Sequence, residues 1–321
     1  MQILVTGASG FVGKHIIDAL HSSGDFQVKA IVRSHEKHAS SESVDYYQIK
    51  SIDSQTEWKG MLNNIDIVVH CAARAHVLNE HCSNPLNEFR EVNVQGTINL
   101  AKACIEAGVK RFIFISSIGV CGSTTDTEHF NEQTKPCPST AYAISKLEAE
   151  DELERISAQP NSLEIVIIRP PLVYAENAPG NFGKLLSIVH GGIPLPFLLL
   201  NNKRSFIAIE NLVDFVVTCI AHPKAANQTF VISDDCDLST PELISLLASG
   251  MGKKISLIPI PLFILKFAAK LLKKTSTYEQ LCGSLQIDIS KAKKMLDWQP
   301  PVNSKAALVK AGNIYKKANT H

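Results

Sequence analysis

The chain has 321 residues, 45% of them apolar and 20% charged, and a formal net charge of +1. That is an ordinary globular balance, with material for one large domain or two joined lobes. The near-zero charge leaves no basic excess for nucleic acid and no acidic tail for a charged partner.

The chain starts on a strand pattern, Met1-Gln2-Ile3-Leu4-Val5, without the charged start and long apolar core of a secretion signal. A helix is predicted over 11–22, then strands over 27–32 and 65–70. Residues 85–107 read as one long helix closed by Gly108. A strand over 111–116, a helix over 141–157 and a strand over 163–168 follow. Continuous β-branched runs separated by helices predict a parallel sheet covered on both faces, a Rossmann-type doubly wound α/β fold.

After Arg169 the texture changes, with Pro170, Pro171, Pro179, Pro194 and Pro196 breaking the chain. The dinucleotide-binding unit is therefore placed at residues 1–170, with room for later segments to return to it. Residues 171–321 read mainly as a smaller α/β lobe that binds substrate over the carboxyl ends of the strands. That half carries a strand pattern over 230–233 and helical patterns over 211–222, 240–251 and 290–298. The most apolar stretch, 255–272, is interrupted by Pro259, Pro261, Lys266 and Lys270. No stable membrane insertion is expected from it. It reads as a core or interface helix, with association to a membrane surface as the alternative.

The eight cysteines form no CxxC pair and read as free thiols of a cytoplasmic, reducing environment. The eleven histidines are scattered without a ligand pair, so no metal site is expected.

Between the first strand and first helix lies Thr6-Gly7-Ala8-Ser9-Gly10-Phe11-Val12-Gly13. One glycine permits the tight turn, one lets backbone approach a pyrophosphate, and one lets helix and strand pack closely. The helix N-terminus then offers unpaired N–H groups to the phosphates. At the end of the second strand, where an acidic residue would bind the adenosine ribose of NAD, the chain has Arg33-Ser34, with Lys37 soon after. An arginine there fits a 2′-phosphate and reads for NADP(H) over NAD(H), against a merely solvated basic loop.

Tyr142 and Lys146, four apart at the start of a predicted helix, share one face. A free phenol has a pKa of about 10, and a nearby ammonium is expected to lower it into range for proton exchange with a carbonyl or alcohol. Ser116 and Ser117 end the preceding strand, at the edge where an active site should lie. The bland alternatives are a surface tyrosine–lysine pair and a capping serine.

Taken together, the glycine turn, His70-Cys71-Ala72-Ala73, Asn93-Val94-Gln95-Gly96-Thr97, Ser116-Ser117-Ile118-Gly119-Val120-Cys121-Gly122 and Tyr142-Ala143-Ile144-Ser145-Lys146 resemble an extended short-chain dehydrogenase/reductase. That family includes sugar-nucleotide epimerases, dehydratases and reductases. The resemblance implies that Ser117 orients the reacting oxygen, Tyr142 is the acid–base residue, and Lys146 holds the nicotinamide ribose and tunes Tyr142. It implies that Gly7, Ser9, Gly10, Phe11, Val12, Gly13, Arg33, Ile52, Ala72, Ala73, Arg74 and Asn93 surround the cofactor. By the same resemblance Pro170 and Val173 flank the nicotinamide. Asn181 and Arg204 then meet the diphosphate of a UDP-sugar.

Three departures narrow the reaction. Ser51, just before Ile52, replaces the usual aspartate near the adenine. Ile118-Gly119 replaces the acid–base pair of the 4,6-dehydratases. The second phosphate-binding arginine that some epimerases carry near Thr277 is absent, and Tyr278 is expected to bind substrate there by stacking or hydrogen bonding. The stretch Ala72-Ala73-Arg74-Ala75-His76-Val77, together with Arg169-Pro170-Pro171-Leu172-Val173-Tyr174, Gly180-Asn181-Phe182 and Leu281-Cys282-Gly283-Ser284-Leu285-Gln286, is most similar to a particular bacterial branch. Its members reduce a 4-keto-6-deoxy amino-sugar nucleotide at C4 in surface-polysaccharide synthesis. A UDP-sugar 4-epimerase uses the same residues, and a non-catalytic nucleotide sensor keeps the same fold. The resemblance also implies a homodimer built on the helices at 85–107 and 141–157.

Overall fold

A computed structural model describes residues 1–33, 44–75, 84–159, 163–272 and 274–319. Seven strands form one wholly parallel sheet: β1 (Gln2–Thr6), β2 (Gln27–Val32), β3 (Val44–Gln48), β4 (Ile67–His70), β5 (Arg111–Ile115), β6 (Glu164–Arg169) and β9 (Gln228–Val231). Their order is β3-β2-β1-β4-β5-β6-β9. The chain winds outward one way from β1 to β3 and the other way from β4 to β9. This puts the topological switch between β1 and β4, where such sheets open a ligand crevice at the strands' carboxyl ends.

Alternation along β1 explains how both faces are covered. Ile3 and Val5 join one apolar cluster with Ile16 and Leu20 of α1 (Phe11–Ser23) and with Leu212, Phe215 and Val216 of α6 (Ile209–Ala221). Leu4 joins the opposite cluster, with Leu100 and Cys104 of α3 (Gly96–Glu106) and Ala149 and Leu153 of α4 (Ala141–Ser157). A strand with period 2 buried on both faces shows no polar alternation, which is why these runs are continuously apolar.

A third apolar cluster lies outside the sheet. It is built from α5 (Gly180–His190), α7 (Thr240–Gly250) and α11 (Ser304–Ala318), and centres on Tyr174, Phe182, Leu186, Leu243, Leu247 and Leu308. A short parallel pair, β7 (Val173–Tyr174) with β8 (Ile207–Ala208), joins it to the sheet. Residues 209–231 return to the sheet as α6 and β9, and α10 (Ser290–Leu296) packs beside β9.

The structure corrects two predicted elements. The single helix at 85–107 is interrupted: α2 (Pro85–Arg90) and α3 are joined by a π-helical turn over Glu91–Gln95. Such turns recur at functional sites, and this one holds Asn93. Of the apolar stretch 255–272, Ile255 and Leu257 pack against the third cluster, but the helical part does not join the core. That helix, α8 (Leu262–Leu271), buries none of its residues. Among the described residues no helix is long and apolar enough to cross a membrane. Ser34, Lys37, His76, Val77 and Cys82 lie outside the described residues.

Candidate active site

Five of the predicted stretches leave the same carboxyl edge of the sheet. The glycine turn follows β1, Arg33 ends β2, residues 71–74 follow β4, Ser116 and Ser117 follow β5, and Pro170 follows β6. Gly7 has φ +68, and a Cβ there would lie 2.7 Å from the Ala72 backbone nitrogen. A Cβ on Gly13 would lie 2.3 Å from the Gly7 carbonyl oxygen. The two glycines thus let the loop after β1 lie directly against α1 and the end of β4. Gly10 caps α1 without a side-chain hydrogen bond, so among the described residues no capping side chain claims the helix's first amides. A cradle that any side chain would fill, at an open helix N-terminus, fits a pyrophosphate.

Asn93 ties this crevice to α4. Its Oδ1 accepts from the Arg74 N–H at 2.8 Å, and its Nδ2 donates to the Arg74 carbonyl at 3.1 Å and to Ser145 Oγ at 2.9 Å. One amide therefore fixes the loop after β4 against the turn that carries Tyr142 and Lys146. Ile52 is buried beside Gly96, where a Cβ would meet its side chain at 2.7 Å. Neighbouring Asp53 is occupied within its own loop, accepting from Gln55 N at 2.9 Å and Thr56 Oγ1 at 3.1 Å. Arg33 is exposed.

Ser117 lies at the mouth of the crevice. Its Oγ accepts from Gly119 N at 3.1 Å, and a Cβ on Gly119 would lie 3.3 Å from that Oγ and 3.4 Å from the Ala143 side chain. The hydroxyl thus sits beside the first turn of α4. Pro170 meets the same segment, its carbonyl accepting from Ile118 N at 2.9 Å. Tyr142, on that turn, packs edge-on to Phe89, with ring centroids 6.4 Å apart. Lys146 is buried, its Nζ 3.7 Å from the centre of the Phe114 ring.

The electrostatics differ from the sequence expectation. Burial pushes the Tyr142 phenol up to about 12 rather than down. Burial also holds the Lys146 ammonium down to about 7, opposed by Glu150 and Cys71. Desolvation outweighs the charge effect that the spacing led one to expect. His70 is held down to about 3 by burial and by Lys146, so it is neutral. Its ring nitrogens bridge Thr6 Oγ1 at 2.6 Å and Thr97 Oγ1 at 3.0 Å, a structural role.

The sequence reading missed a buried ion pair below this turn. Glu150 of α4 meets Arg169 at the end of β6, with Nη2 to Oε2 at 2.5 Å, and accepts from Ser116 Oγ. Tyr142, Lys146 and Glu150 recur at intervals of four, so helical periodicity held the signal.

The predicted substrate residues gather around α9 (Thr275–Cys282). Asn181 Nδ2 donates to Gln280 Oε1 at 2.6 Å, and Arg204 Nη1 donates to the Gly283 carbonyl at 2.8 Å. Burial lowers Arg204 to about 10, which leaves it cationic at neutral pH. Tyr278 is half-buried on the same helix. The 121–130 segment links this group to Ser117, with Thr125 N donating to the Ser284 carbonyl at 2.8 Å and Phe130 N to the Gln286 carbonyl at 2.8 Å. A groove of about 540 Å³ between α7 and α11, lined by Leu246, Lys305, Val309 and Lys310, contains none of these residues.

Residues 3–233 match the NAD dependent epimerase/dehydratase family. The chain belongs to that family. It is an extended short-chain dehydrogenase/reductase and an NAD-dependent nucleotide-sugar epimerase/oxidoreductase enzyme. It is 42% identical over 321 residues to a UDP-glucose 4-epimerase of Vibrio cholerae, covering 99% of this chain and 96% of that one. It is 30% identical over 264 residues to an N-acetyl-alpha-D-glucosaminyl-diphospho-ditrans,octacis-undecaprenol 4-epimerase of Escherichia coli O157:H7, covering 81% and 75% of the two chains. In fold, this family member is similar to a UDP-glucose 4-epimerase of Thermotoga maritima solved with UDP-glucose. The TM-score is 0.77 at 23% identity, over 99% of each chain.

Proposed function

We propose that this protein transfers hydride between a nicotinamide and C4 of a UDP-linked sugar, and that its net reaction reduces a 4-keto-6-deoxy amino-sugar nucleotide. The observation that carries the C4 chemistry is the meeting of the glycine turn, Ser117 and the Tyr142–Lys146 turn at one sheet edge.

In this reading Gly7, Ser9, Gly10, Phe11, Val12 and Gly13 hold the pyrophosphate. Ile52, Ala72, Ala73, Arg74, Asn93, Pro170 and Val173 line the rest of the dinucleotide. Bound there, the nicotinamide supplies the hydride. Tyr142 gives its phenolic proton to the oxygen that develops charge at C4, and Ser117 hydrogen-bonds the same oxygen. Lys146, as ammonium, stabilises the phenolate left behind. Asn181, Arg204 and Tyr278 bind the nucleoside diphosphate, for which a planar guanidinium supplies paired donors. A homodimer pairing α2–α3 and α4 with their mates belongs to the same reading.

Arg33 favours net reduction, because an exposed arginine at the end of β2 suits exchangeable NADPH. A second reading, 4-epimerisation of a UDP-sugar with retained NAD, is favoured by the 42% identity to the Vibrio cholerae 4-epimerase. Incubation with NADPH and a 4-keto-6-deoxy UDP-sugar is expected to oxidise one NADPH for each sugar reduced. Interconversion of UDP-sugars without net cofactor oxidation would assign the epimerase instead. Arg33→Glu is expected to weaken NADPH binding about 10–100-fold, through loss of charge-assisted hydrogen bonds, with little change for NADH. Equal changes in the two titrations would refute the role given to Arg33.

A further inference from the structure

Helix α8 presents its apolar side the wrong way for a core helix. Phe263, Phe267 and Leu271, at i, i+4 and i+8, form one stripe, and they are 72%, 70% and 74% exposed. A helix that packs on a core turns such a stripe inward. The exposed surface continues beyond the helix. Leu272 follows at its end, and Ile258 lies on its approach, where its carbonyl accepts from Leu198 N at 3.2 Å. Leu198 and Leu199 are themselves half exposed. An exposed apolar stripe of this kind marks an interaction surface.

The charge around the patch selects what covers it. The apolar stretch 255–272 carries Lys266 and Lys270 and no aspartate or glutamate. At 100° per residue, Lys266 and Lys270 fall side by side along one flank of the Phe263–Phe267–Leu271 stripe. Their stems can lie along the apolar surface while the ammonium groups reach outward. A second copy related by a two-fold axis would bring the same acid-free lysines against each other. A surface of anionic phosphates over an apolar layer meets both features at once.

We propose that α8, with Ile258, Leu198 and Leu199, docks this protein onto the surface of an anionic phospholipid bilayer. A helix of ten residues is about 15 Å long, against roughly 30 Å of hydrocarbon, so it lies in the plane of the interface and does not span. Phenylalanine and leucine side chains sink below the headgroups, and Lys266 and Lys270 pair with lipid phosphates. Because α8 leads into α9, the docked face adjoins the helix that carries Tyr278 and meets Asn181 and Arg204. Docking is independent of whether the enzyme reduces or epimerises.

The test is co-sedimentation of the full-length protein with vesicles of phosphatidylethanolamine and phosphatidylglycerol, and with vesicles of phosphatidylcholine alone. The wild type is expected to bind the anionic vesicles at least about tenfold better than the neutral ones, with binding weakened by salt. Phe263→Ser/Phe267→Ser and Lys266→Glu/Lys270→Glu are each expected to lose at least about tenfold in that binding. Circular dichroism, melting and turnover of a soluble UDP-sugar should be unchanged in both variants. Wild-type protein that stays in the supernatant with both vesicle types overturns the proposal. So does a wild-type dimer that the phenylalanine variant dissociates, because it would assign the face to a second copy.

Discussion

Replacing Tyr142 with phenylalanine is expected to reduce turnover about 10²–10⁴-fold, the usual contribution of a positioned proton donor, while dinucleotide binding is retained. The substitution removes one hydroxyl and keeps the ring that packs edge-on to Phe89. Single-turnover sugar conversion measures the first effect and a binding titration the second. Full activity in the variant would take Tyr142 out of the chemistry. The resting electrostatics suit reduction. A phenol pushed up to about 12 is fully protonated at neutral pH, the form that donates. Lys146, held down to about 7, sits at the edge of losing the charge that would stabilise the phenolate.

The same shifts set a dependence of stability on pH. Between about 7 and 10.5 the unfolded chain keeps a proton on Lys146 that the folded chain has released, so this group makes folding more favourable as pH rises through that window. Tyr142 acts in the opposite sense from 10 to about 12, where the folded state keeps the proton. Both effects come from placing a phenol and an ammonium where water is scarce, and functional sites commonly carry such a cost.

Much of this arrangement was legible in the residues, for reasons that differ by element. The central strands announce themselves because they are buried on both faces. β3 does not, because Val44-Asp45-Tyr46-Tyr47-Gln48 is an edge strand with only Val44 fully buried. α11 was missed because its buried side is made of small residues, Ala307 and Ala311 beside Leu308. α8 was misjudged because composition reports how apolar a helix is and not which way its side chains point. The π turn at Glu91–Gln95 was invisible because it changes the backbone's hydrogen-bond register without changing which residues are apolar. At the site, the glycine spacing and the Tyr142–Lys146 pair were readable as motifs. Their protonation was not, because spacing on a helix says nothing about how much water surrounds the two groups.

Loss of Glu150 is expected to destabilise the fold strongly. Glu150→Ala leaves the guanidinium of Arg169, itself 6% exposed, without its carboxylate, and leaves Ser116 Oγ without its acceptor. Breaking a buried pair from one side costs about 3–5 kcal/mol, which urea denaturation would read as a lower midpoint at unchanged slope. Removing both charges with Glu150→Leu and Arg169→Met should recover much of that loss, because neither member of the pair is then left buried without the other. A single variant as stable as the wild type would show that the pair holds nothing together. Glu150 also acts on the chemistry through Lys146, whose pKa it raises against the effect of burial. Glu150→Gln keeps a neutral acceptor for Arg169 and removes that support, so the Lys146 ammonium should deprotonate at lower pH. If the ammonium is what stabilises the Tyr142 phenolate, the alkaline limb of kcat/KM moves toward acid in this variant. A purely structural role would lower activity at every pH and leave the limb where it was.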